Sequence, residues 1–177
     1  MNLNERSDKI RKLTVCAMMS ALGVVTLYIG SLIEVLDISM AVIASLFVIF
    51  AVIEYGGAAP WAVYAVTGVL SAVLLPNKFP AAMYLLFFGF YPILKEKIEK
   101  LRGRVIQWAI KEAVFNVSLV LLMILARWLL FLESDMLTVV WIVFFLLANG
   151  TFVIYDIALT RLISLYVFKL RKKFRIK

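Results

Sequence analysis

The sequence predicts an all-α fold: a polytopic integral membrane protein of six transmembrane helices with both termini in the cytoplasm. Three observations carry this. Of 177 residues, 64% are hydrophobic and 17% charged, and the mean hydropathy is +1.00, whereas a soluble domain is only about half apolar. The charges fall at breaks between apolar stretches, several of which approach the roughly 20 residues that a membrane helix needs. Lys and Arg gather in three blocks, before the first span, after the fourth and after the sixth.

The first span, about 13–33, follows the bases Arg6, Lys9, Arg11 and Lys12 and meets no charge until Glu34. It is longer than the apolar core of a secretory signal and lacks a small-residue cleavage site behind it, so a retained helix is expected. A connector with Glu34 and Asp37 leads to the second span, about 38–53, which stops at Glu54 before Tyr55-Gly56-Gly57. The third, about 58–75, opens with Pro60, a residue suited to a first helical turn, and ends at Pro76-Asn77-Lys78. The fourth, about 79–94, is short like the second, and a charged loop from Lys95 to Arg104 follows. Residues 105–112 carry Gln107, Lys111 and Glu112 among apolar neighbours and read as an interfacial helical entry. The fifth span, about 113–132, closes at Glu133-Ser134-Asp135. The sixth, about 137–155, continues as helix past Asp156 and Arg161 into a basic tail.

Nearly all Lys and Arg lie before span one, after span four and after span six, while the opposite connectors hold Glu34, Asp37, Glu133 and Asp135 with one base, Lys78. By the positive-inside rule both termini are cytoplasmic, as an even number of spans requires. The same distribution explains the net charge of +8 as an orientation signal at a lipid surface, with no nucleic acid as partner. The spans and their connectors fill 1–177, so a single transmembrane domain is expected.

The chemistry this composition allows is narrow. With no histidine, His-based triads, proton shuttles and most zinc sites are excluded, and no cofactor or metal is expected. One cysteine, Cys16, excludes an internal disulfide. None of the eight glycines belongs to a phosphate-binding G-x-x-x-x-G-K-[ST] loop, so ATP hydrolysis would fall to other chains. Glu96 and Glu99, flanked by lysines, read as a solvated charged loop. No nucleophile and base form a recognisable pair, and the chain is read as a binding or transport subunit with no enzymatic activity of its own.

Ionisable and polar groups inside the spans point to function by default because they are costly there. Arg127 either snorkels to the outer headgroups beside Trp128 or serves as a cation for an anionic or carbonyl group of a substrate. Asn116, Val120, Met123 and Arg127 share one stripe of span five; Trp141, Phe145 and Asn149 share one of span six. The two stripes could line an outward pocket, with Tyr84, Asn77 and Lys78 on a third side, or pack together with the asparagines as hydrogen-bonding glue. Ala17 and Ala21, four apart on span one, allow close helix approach, either to a partner or within the chain.

Here the chain resembles the substrate-binding S components of energy-coupling factor (ECF) vitamin transporters. The likeness covers the whole length: a small basic protein of six helices with cytoplasmic termini, and Ala17-Met18-Met19-Ser20-Ala21 matching the A-x-x-x-A motif of helix one. Leu36-Asp37-Ile38-Ser39 is similar to a stretch of riboflavin-type members, without the proline those often carry just after it. The resemblance implies that Ala17 and Ala21 dock a transmembrane coupling subunit joined to two cytoplasmic ATPases. It implies a vitamin-like substrate held near the outer face by Glu34, Asp37, Asn77, Lys78, Tyr84, Arg127, Trp141 and Asn149. A different class of reading is a small polytopic scaffold in an envelope-building complex, with no small-molecule ligand.

Overall fold

The structure, a computed structural model, describes residues 3–130 and 138–170, with side chains placed throughout except at residues 3, 4, 34, 127–130, 138–142, 169 and 170. The described residues are helical with short connectors, and no strand occurs among them. Helix α1 is Leu3–Leu32, α2 Asp37–Glu54, α3 Ala59–Leu74, α4 Phe79–Met83, α5 Tyr91–Ile98, α6 Arg104–Leu130 and α7 Thr138–Leu165. A 3-10 turn, Glu34–Leu36, joins α1 to α2; π-helical turns, Tyr84–Phe88 and Tyr166–Leu170, extend α4 and α7. Four helices, in α1, α2, α6 and α7, are long and apolar enough to cross a membrane.

The chain forms two compact units, 1–111 and 112–177. In the first, α1 buries Cys16, Ser20, Gly23, Leu27 and Gly30, a stripe that advances by four and three residues as the helical repeat requires. Glycine is needed at two of these positions. A Cβ on Gly23 would stand 2.9 Å from the Thr67 methyl of α3, and one on Gly30 would stand 2.8 Å from Met40 Cβ of α2. Small residues thus bring α1 against α2 and α3, the association that apolar surface alone does not drive in lipid. Helix α2 answers with Ala41, Ala44, Ser45, Val48 and Ala51, all buried. It stops where Tyr55 and Gly56 both donate backbone N–H bonds to the Ala51 carbonyl, with Gly56 at φ 56° and Gly57 at φ 58°, the left-handed backbone that glycine adopts most readily.

Helix α3 starts with Pro60 in its first turn, as expected, and its 16 residues span only about 24 Å. The fourth segment departs from expectation: a single helix over 79–94 is predicted, and the structure breaks it. Gly89 N–H reaches back five residues to the Tyr84 carbonyl at 2.7 Å, the widened ring of a π turn. Pro92, lacking an N–H, then sits at the start of a new helix, α5. Aromatic rings hold the break together: Tyr64 and Tyr84 lie 5.9 Å apart, Phe87 and Tyr91 4.9 Å apart, and the Tyr64 hydroxyl donates to the Leu85 carbonyl at 2.8 Å.

Residues 105–112, read from the sequence as an interfacial helical entry, are helical and continuous with the fifth apolar stretch in α6, and α7 does run past Asp156 and Arg161. In the second unit Phe115 stacks on Phe152 at 4.6 Å and 8°, and Leu119 and Leu159 are buried. The connector Glu133-Ser134-Asp135 lies outside the described residues.

Candidate functional site

The outward face of α1 is the first candidate. Opposite its buried stripe, Leu13, Thr14, Ala17, Met18, Ala21, Leu22 and Val25 are exposed. Ala17 and Ala21 are exposed, whereas Cys16, Ser20 and Gly23 are buried. The sequence pointed to small residues at this end of the helix; the structure divides them between two faces.

Five of the predicted substrate-binding residues, Asp37, Asn77, Lys78, Tyr84 and Asn149, have described side chains. Asp37 opens α2, buried at 7% exposure, where a carboxylate complements the partial positive charge of a helix N-terminus. Asn77 Oδ1 accepts the Phe79 backbone N–H at 2.9 Å, satisfying a donor at the start of α4. Lys78 Nζ donates to the carbonyls of Leu75 at 2.6 Å and Val73 at 3.2 Å, closing the C-terminal end of α3 where a cation is favoured. Tyr84 has no exposed surface and packs against Tyr64 inside the first unit. In the second unit Asn149 and Asn116 exchange amide hydrogen bonds of 2.9 and 3.2 Å, and each also donates to a carbonyl one turn back in its own helix. These bonds are the interhelical hydrogen bonds that the packing alternative names. The side chains of Glu34, Arg127 and Trp141 lie outside the described set, so the structure brings together Asn116 with Asn149 and leaves those three unplaced.

Sequence reasoning missed a charged cluster at the other end of the first unit. Lys95, 1% exposed, donates to Glu99 Oε1 at 2.7 Å, and Lys111, also buried, meets the same oxygen at 2.9 Å. Glu99 is exposed, as the sequence reading has it, and also ties two buried lysines together, one on α5 and one on α6. Partial burial pushes its carboxyl pKa up, but the hydrogen bonds and charges of Lys95 and Lys111 outweigh that and hold it below the ordinary carboxylate value. The i, i+4 spacing of Lys95 and Glu99 was the available signal. Gln107 ties the turn further by donating to the Leu101 carbonyl at 2.8 Å. At this same end three lysines lie over aromatic rings: Lys12 on Tyr55, Lys97 on Trp61 and Lys111 on Trp108, at 5.5 to 5.7 Å.

A second missed feature is the hydroxyl seam of the first unit. Ser20, Thr67 and Ser71 are all buried, Thr67 Oγ1 lies 3.4 Å from the Ser20 carbonyl, and Thr67 and Ser71 fall one turn apart on α3. Its signal was a pair of hydroxyl residues at i, i+4 in an otherwise apolar helix. Comparison with known proteins finds no match to any family model, curated protein or solved structure.

Proposed function

We propose that this protein is the substrate-capture subunit of an ATP-driven importer of a vitamin or similar micronutrient, resident in the cell membrane. In this reading the chain crosses the membrane six times with both termini cytoplasmic, α3 and the broken segment 79–98 serving as the third and fourth crossings. The observation that carries the reading is the two-sided α1. One face is consumed by packing against α2 and α3, and the other presents Ala17 and Ala21 outward, at the spacing that lets a second helix approach closely. That is what docking to a transmembrane coupling subunit would use. ATP hydrolysis by two cytoplasmic partner chains would then drive release of the ligand inside. The lysine and aromatic pairs at the end of the first unit that carries Lys12 and Lys97 support a membrane boundary there and a cytoplasmic N-terminus.

Replacing both alanines by tryptophan fills the docking face without touching the buried stripe. Uptake should be abolished while ligand binding persists, and unchanged uptake would remove this face from the mechanism. The ligand itself is sought by mass spectrometry of small molecules released from the denatured, detergent-purified protein.

A scaffold with no ligand is the second reading, and one observation favours it: Asn77, Lys78 and Asn149 are satisfied by the protein's own groups. Water accessibility of a cysteine placed at position 127 separates the two. A labelled cysteine facing a wet pocket supports the capture subunit, and a lipid-facing one supports the scaffold.

A further inference from the structure

Residues 5–12 of α1 carry seven charged or polar side chains, and the helix sorts them. At 100° per residue, Glu5, Asp8, Lys9 and Lys12 fall on one side, and Arg6, Ser7, Ile10 and Arg11 on the other. The second side holds two guanidinium groups, a hydroxyl and an isoleucine. These four exposed side chains line a shallow groove of about 360 Å³. Below it the same face continues as Leu13, Thr14 and Ala17, all exposed, so a molecule seated in the groove has its polar end against the arginines and an apolar path beneath. The three lysine and aromatic pairs lie at this end of the unit too, the arrangement of side chains that sits at the headgroup level of a bilayer.

We propose that the groove of Arg6, Ser7, Ile10 and Arg11 holds the phosphate headgroup of an anionic phospholipid, with an acyl chain running down over Ile10 and Leu13. The guanidinium fork suits a phosphate because it offers paired donors with charge, and Ser7 adds a neutral donor. A soluble phosphate would use the arginines alone; the exposed isoleucine and leucine on the same face favour a ligand with a tail. The inference rests on the membrane reading given above and is independent of transport.

The test is native mass spectrometry of the detergent-purified full chain mixed with equal amounts of phosphatidylglycerol and phosphatidylcholine. The unmodified protein is expected to retain phosphatidylglycerol preferentially at low salt, on the order of fivefold for each arginine engaged, and to lose that preference as salt is raised. The R6Q/R11Q variant should bring the two lipids close to parity, and R6K/R11K, which keeps the charge, should recover part of the preference. Equal retention by the unmodified protein overturns the proposal, as does a preference that R6Q/R11Q leaves unchanged. Loss of co-purifying protein partners in R6Q/R11Q with lipid retention intact assigns the groove to a protein and also overturns it. Failure of the membrane reading itself would show separately, as release of the chain from membranes by alkaline carbonate without detergent.

Discussion

Replacing Glu99 by glutamine removes one charge and leaves two buried cations facing the amide that takes its place. Breaking a buried ion pair by deleting one partner costs about 3–5 kcal/mol. Glu99 is 40% exposed, so water already shares its charge, and both lysines have further interactions; about 2 kcal/mol is the expected loss. For a chain of this size that corresponds to a fall of roughly 4–8 °C in Tm. Thermal unfolding in detergent, followed by intrinsic tryptophan fluorescence, reads it directly, since Trp61 and Trp108 lie in the same unit. A double-mutant cycle with K95M isolates the pair: the combined variant should lose less than the sum of the two single losses, by more than about 0.5 kcal/mol. The pH dependence has a fixed sign. Because the folded protein holds the Glu99 carboxyl below its ordinary value of 4.5, its contribution is fully present above that pH and disappears as the pH falls through the lower folded value. The gap in Tm between the unmodified protein and E99Q should therefore be constant near neutrality and close only on acidification below about 4.5. A Tm for E99Q within about 1 °C of the unmodified protein, or strict additivity with K95M, would refute the bridging role of this carboxylate.

Glycine positions offer a contrast within one protein. A Cβ at Gly68 would overlap the Leu85 side chain, so G68V should lower stability by about 1–3 kcal/mol; in α7, Gly150 has open space around it, so G150A should be neutral or raise stability by up to about 1 kcal/mol. Both are read as shifts in the unfolding midpoint. The asparagine pair responds differently to one change and to two. N116L alone leaves Asn149 without its interhelical partner and should cost about 1 kcal/mol, whereas N116L/N149L should return most of that stability. A double variant no more stable than the single would show that the pair does more than join the two helices.

Apolar length and charge placement made the helical class and the four long spans legible, because they are properties of continuous stretches. The end of α2 was legible for the same kind of reason: Tyr55-Gly56-Gly57 is a local stop. What escaped was whatever depends on contacts between segments. In 79–94 the local signal for a break was Gly89 and Pro92, whereas the contact that stabilises it comes from Tyr64, a residue some 20 positions earlier. The burial of Lys95 and Lys111 was invisible for a similar reason: a lysine beside a loop is normally solvated, and these two meet at Glu99 only in the folded first unit. At the connector between α3 and α4 the sequence marked polar residues and left open what satisfies them. Asn77 and Lys78 are polar near a span boundary because helix ends need donors and cations, and the structure uses them for that. On α1 the small residues were recognised, but only helix packing could separate the set facing α2 and α3 from the set facing outward.

The interrupted fourth segment also bears on how such a chain enters a bilayer. Alpha-helical insertion favours segments that close their own backbone hydrogen bonds and are apolar along their length. Phe79 to Ile98 meets neither condition: it changes helical pitch at Tyr84, restarts at Tyr91, and carries Lys95 inside its last turns. Its side-chain contacts to Tyr64 exist only once α3 is in place. In the six-crossing reading proposed above, the segment would enter as the dependent half of a hairpin with α3, and the order of synthesis, with α1 to α3 emerging first, would supply the surface on which it settles.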